Sequence, residues 1–277
     1  SLDVLYVIWM ALLLFHVVDE AGAVQIIGQA LPALTGDRAM QGLLLVWLFA
    51  SFLQGMGGFG VPVAVAAPLL VGLGFDPVLA VVMACIGHGW AVNFGSLATS
   101  FQTLMAVTGL PGAVLGPDAA ILLGVASLAC GGIVAYVAAG WRGLIRSLPA
   151  VVILSAVMGL TQYWLVTNGI WTLGATGASL AGLIVSVPLA RLPLYQKRDA
   201  DQPVSLSPEM RRNLIVAVSA YVVLLAIAFA INLIEPLGAW LGQITFSLPF
   251  PELSTSTGWL TPAESGRRIS LFNHPGA

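Results

Sequence analysis

Residues 52–77 read FLQGMGGFGVPVAVAAPLLVGLGFDP, six glycines and three prolines set into sequence otherwise apolar enough to lie in lipid. Glycines 55, 57, 58 and 60 remove side chains and admit positive φ, while Pro62 lacks a backbone donor yet suits the first turn of a helix. The stretch therefore reads as the end of one half-helix, an interruption at Gln54–Pro62, and the start of another near Val61. Such a start directs unpaired N–H groups and the positive end of a helix dipole at the gap, an arrangement suited to a carboxylate. The competing reading is close helix packing through small residues.

Working outward, the whole chain supports a membrane setting. Of its 277 residues 58% are hydrophobic and 8% charged, against roughly a quarter charged in soluble domains. No charge falls between Arg38 and Asp76, Asp76 and Asp118, Arg146 and Arg191, or Arg212 and Glu235, and each gap can hold at least one crossing of ~20 residues. The expected class is an all-α polytopic membrane protein, a single transmembrane domain over 1–277. Spans are predicted near 4–18, 41–53, 61–73, 78–87, 91–107, 119–139, 148–167, 176–190 and 213–234. The short pieces within 39–107 fit discontinuous or re-entrant helices, tolerated at membrane depth only where protein or water covers the backbone.

Seven of the ten basic residues lie at Arg142, Arg146, Arg191, Lys197, Arg198, Arg211 and Arg212, so both loops, the second spanning 191–212, are predicted to be cytoplasmic. Net charge is −2, and no basic run is dense enough for nucleic acid. Cys85 and Cys130 lie in apolar sequence without metal-ligand spacing and read as small core residues. No metal or cofactor motif is present. Segment 235–277 is mixed in character and has the look of a truncated end, and the chain opens at Ser1 without a Met, so a longer parent protein is expected.

A second polar interruption strengthens the reading of the first. CIGHGWAVNFGSLATSFQTL, residues 85–104, carries His88, Asn93, Ser96, Thr99, Ser100, Gln102 and Thr103, too polar to face lipid. Asn93, Ser96, Thr99 and Gln102 are candidate ligands, and their alternative role is hydrogen bonding between helices. His88 is the proton-coupling candidate, since imidazole titrates near neutral pH. Asp76 before Pro77 reads as a helix cap. An intramembrane enzyme built on His88 with Ser96 or Ser100 is the weakest reading, because nothing in the spacing joins nucleophile to base.

FLQGMGGFGVPVAVAAPLLVGLGF, FGS at 94–96, AVTGLPG at 106–112, GWRG at 140–143 and the terminal FNHPGA resemble, in the same order, the L-lactate permease family. The resemblance implies a proton-coupled symporter of the cell inner membrane for L-lactate, D-lactate and glycolate. It also implies a longer protein of two related halves in inverted repeat, this chain being the first and the missing second half its partner. Its partners are then a small carboxylate, a proton and the bilayer. The half-helix ends at Gly57, Gly58, Phe59, Gly60 and Val61, within the motif that includes Gln54, Gly55 and Pro62, are the expected binding place of the carboxylate. Many relatives carry glutamate where Gln54 stands, and NTAP where Gly87–Trp90 stands. Gln54 cannot exchange a proton, which turns attention to His88. Another small organic anion is the alternative substrate.

Overall fold

The structure, a computed structural model, describes residues 20–31, 34–58, 61–196, 234–246, 251–256, 258–263 and 269–270, with single positions at 9, 13, 16, 17, 212, 213, 215, 216, 219, 223, 227 and 249. The spans expected at 4–18 and 213–234 fall mostly outside them, as does most of the 191–212 loop, and Phe59 and Gly60 lie outside them altogether.

The described chain is mostly helical. After α1 (Ala23–Ala30), Asp37 caps α2 by accepting from the Met40 N–H at 2.9 Å. α2 (Arg38–Met56) runs on without a break, its central Leu43–Phe49 wound as a π-helix and buried on every side. α3 (Val61–Gly72) returns to the end where α2 began: the Arg38 guanidinium donates to the Gly74 carbonyl at 3.0 Å and lies 4.2 Å from the centre of the Phe75 ring. The start of α2 and the end of α3 thus lie at the same end of the bundle. Asp76 then caps α4 (Pro77–Gly87), accepting from the Val78 and Leu79 N–H groups, as its sequence context predicts.

One predicted span requires correction. Residues 91–107 are not one helix: after a 3₁₀ turn at Gly89–Ala91 the chain is irregular to Ala98, and only α5 (Thr99–Thr108) is regular. The cause lies in Ser96, Leu97 and Ala98, three consecutive non-glycine residues at φ 49°, 53° and 61°. Left-handed backbone costs an L-residue ~1–2 kcal/mol, so this turn persists because its surroundings hold it.

α6 (Gly112–Thr167) contains non-helical backbone at Ala139 and at Gly140, φ 67° and ψ −168°. Its two limbs fold back on each other. A Cβ at Gly124 would lie 3.5 Å from the Gly159 Cα, and the Gln162 amide donates to the Ala120 carbonyl at 3.5 Å. Each limb has about 27 residues and a length of ~40 Å, enough to cross a bilayer once. The exposed Trp141 and Arg142 sit at the bend, Trp141 edge-on to Tyr136. α7 (Gly174–Ala190), entered through a 3₁₀ turn at Trp171–Leu173, packs along both α2 and the hairpin.

One end of the bundle gathers 34–38, 73–76, the hairpin bend and 191–196. There Arg146 forms an ion pair with Asp37, Thr35 Oγ1 donates to the Tyr195 carbonyl at 2.6 Å, and Gln196 donates to the Leu34 carbonyl at 3.0 Å. The core centres on α2, where Trp47 fills the space left by Gly131. Cys130 is half-buried, but Cys85 is exposed and is no core residue. Beyond α8 (Glu235–Leu241) lie two antiparallel ladders of two residues a strand, β1 (Thr245–Phe246) with β4 (Ile269–Ser270) and β2 (Leu253–Ser254) with β3 (Leu260–Thr261), too short to alter the all-α class.

Candidate functional site

The two interruptions meet. The last turn of a helix leaves carbonyls without intrahelical partners. At the end of α2 the Gln54 carbonyl accepts from the Ser96 N–H at 2.8 Å, and the Gly55 carbonyl from the Leu97 N–H at 3.1 Å. The left-handed turn is therefore the cap of α2, and this pairing holds its strained backbone in place. Gly58, at φ +59°, lies so close that a Cβ there would overlap the Ser96 hydroxyl. Gln54, 6% exposed, turns its amide nitrogen toward the same spot: a Cβ at Gly95 would stand 2.8 Å from it.

Two of the predicted polar ligands are engaged in holding the turn. Thr99 Oγ1 donates to the Ser96 carbonyl at 2.5 Å, and the Gln102 amide donates to the Leu97 carbonyl at 3.1 Å. Ser96 faces Gly58, while Asn93 is half-buried and its carbonyl accepts from the Phe101 N–H at 3.2 Å. Phe94, Phe101 and Trp171 wall the region on the side of α7, with ring centroids 5.0 and 6.0 Å apart.

Free N–H groups were expected at the glycine break, and here the structure differs in detail. Gly57 and Gly58 both donate back to the Leu53 carbonyl, and the Val61 N–H donates to the Gly58 carbonyl at 3.0 Å. Pro62 has none to offer. The dipole of α3 still presents its positive end to the break, but these backbone donors are used locally. Pro62 itself is buried in the first turn of α3.

His88 closes the end of α4, its Nδ1 2.6 Å from the Ala84 carbonyl. A carbonyl only accepts, so Nδ1 carries the proton and Nε2 is the nitrogen left to exchange one. The residue lies between Gly87, packed on the Val46 carbonyl, and the 3₁₀ turn that rests on the last part of α2.

Sequence reading missed Thr176. It is 1% exposed, in the first turns of α7, and its Oγ1 has no hydrogen-bond partner. A Cβ at Gly55 would overlap that hydroxyl and lie 2.6 Å from the Thr176 backbone nitrogen. TLGATG at 172–177 looks like a plain turn between spans, and nothing in it signals contact with a residue so distant in sequence. Among the described residues no group of three or more His, Cys, Asp or Glu could hold a metal ion.

Comparison with known proteins gives a consistent family. The profile of the L-lactate permease family matches residues 1–250. The L-lactate permease of Salmonella typhimurium is 31% identical over 194 residues, 70% of this chain and 34% of the relative. That of Bacillus subtilis is 29% identical over 57% of this chain and 28% of the relative. A glycolate permease of Escherichia coli is 30% identical over 57% of this chain and 28% of its own length. The matched stretches thus span about a third of these curated relatives. No solved structure matches the chain.

Proposed function

Because the chain belongs to the L-lactate permease family, we propose that the protein it represents is a multi-pass transporter of the cell inner membrane, carrying L-lactate, D-lactate and glycolate together with a proton. The observation that carries this reading is the meeting of two helix interruptions, Gly58 against the Ser96 hydroxyl. Discontinuous helices meeting inside a bundle are the usual place for substrate in secondary transporters.

In this mechanism the carboxylate lies at the break lined by Gly57 to Val61, where the positive end of α3 favours negative charge. Ser96 and Asn93 hold the 2-hydroxyl, while Thr99 and Gln102 fix the turn that presents them. Moving a bare carboxylate inward against a negative potential costs ~2.3 kcal/mol per 100 mV, and one accompanying proton removes that cost. Gln54 cannot carry the proton, so His88 Nε2 is assigned to it. A second, related half of the transporter is the partner expected to complete the site. The chemistry is binding and release with no covalent change, so the protein acts as a carrier and not as an enzyme.

The test is counterflow and pH-gradient-driven uptake by the full-length protein in proteoliposomes, with lactate, glycolate, pyruvate and acetate. Ser96→Ala should weaken lactate more than acetate, and His88→Gln should remove the dependence on the pH gradient. Exchange of acetate or pyruvate in preference to lactate would move the assignment to another small organic anion.

A further inference from the structure

The geometry points to the Thr176 hydroxyl as a ligand of the substrate carboxylate, a role that rests on the transporter reading above. Serine and threonine inside helices ordinarily donate to a carbonyl one turn back, and the neighbours of Thr176 on α7 do so: Ser179 to Ala175 and Ser186 to Leu183, each at 2.7 Å. Thr176 is the exception on the same helix, buried and without a partner. Its hydroxyl lies against Gly55 in the last turn of α2, where the missing side chain admits it. A dry hydroxyl is unfavourable unless something arrives to use it.

The backbone supplies the complementary argument. The N–H groups of Gly57, Gly58 and Val61 already donate within the break, and Pro62 has none. A carboxylate only accepts hydrogen bonds, so with these three N–H groups engaged a side-chain donor beside the break becomes valuable. Thr176 stands beside the break with an uncommitted O–H, at the start of a 17-residue helix whose positive dipole end adds to that of α3. Ser96, against Gly58, then reads the 2-hydroxyl, and Thr176, against Gly55, the carboxylate.

The decisive variant is Thr176→Val, which keeps the shape and removes the hydroxyl, in the full-length protein. Thr176→Ser retains the donor, and Thr176→Ala replaces Val should Val not fold. Two readouts are needed: melting temperature with and without short monocarboxylates, and KM for lactate and propionate. With Thr176 as ligand, Thr176→Val melts at or above wild type when empty and loses the stabilisation given by carboxylate. It also raises KM for both substrates by roughly 10–100-fold, the range for one hydrogen bond to a charged group, while Ser restores both. Unchanged KM and an unchanged ligand-induced shift in Thr176→Val overturn the inference and leave the transporter reading intact. Stabilisation of wild type by acetate but not lactate overturns the lactate assignment, and Thr176 is then judged by whether Val abolishes the acetate shift. No stabilisation of wild type by any short monocarboxylate overturns both.

Discussion

Gly58 shows what a single residue decides in this protein. It occupies left-handed backbone and it leaves room for the Ser96 hydroxyl, two demands that only glycine meets. Gly74 meets just the first, at φ +80° with open space around it. Gly74→Ala should therefore cost the backbone term alone, ~1–2 kcal/mol. Gly58→Ala should cost more and also displace Ser96, lowering both the melting temperature and the affinity for substrate. Equal losses of stability would mean that the Ser96 contact contributes nothing. The need for glycine was legible in GMGGFG, but its second reason was not, because Ser96 is remote in sequence. Thr99 and Gln102 teach the same lesson from the other side: their polarity was legible, and their engagement with the carbonyls of Ser96 and Leu97 was not.

Among the elements, α6 depends most on one position. The sequence places two apolar runs on either side of Trp141 and Arg142, and the structure joins them through Gly140 into a tight hairpin. At φ 67° and ψ −168° that residue occupies a region essentially restricted to glycine, although a Cβ would meet nothing within 4 Å. Gly140→Ala should thus destabilise by about 1–3 kcal/mol through the backbone alone, measured as a lower melting temperature in detergent. A neutral result would mean that the bend relaxes into another conformation. Spans 61–73, 78–87 and 176–190 were legible from their apolar runs and their Asp-Pro or glycine boundaries. The interruption within 85–104 was legible from its polar residues, but span 91–107 was drawn through it, because three left-handed non-glycine residues leave no trace in composition; they cap α2, a tertiary demand.

At the scale of the molecule, the Asp37–Arg146 pair ties the start of α2 to the second limb of the hairpin. Asp37 is 2% exposed and also caps α2, whereas the Arg146 side chain is 42% exposed. Arg146→Gln leaves a buried carboxylate without its partner and should cost toward the lower end of ~3–5 kcal/mol, because water reaches the site from the arginine side. Asp37→Asn keeps a capping oxygen and leaves an arginine that water can solvate, so its cost should be smaller. Melting curves of the two variants check the order, and the reverse order would show that the cap matters more than the charge. The sequence by itself determined the membrane class, the positions of most helices and the glycine break, because hydrophobic runs, charge spacing and backbone-special residues act locally. Only the tertiary structure decided that α2 and α3 return to one end, that Ser96 and Leu97 cap α2, and that Thr176 stands dry against Gly55. Those facts arise from contacts between residues far apart in the chain, which leave no local pattern to read.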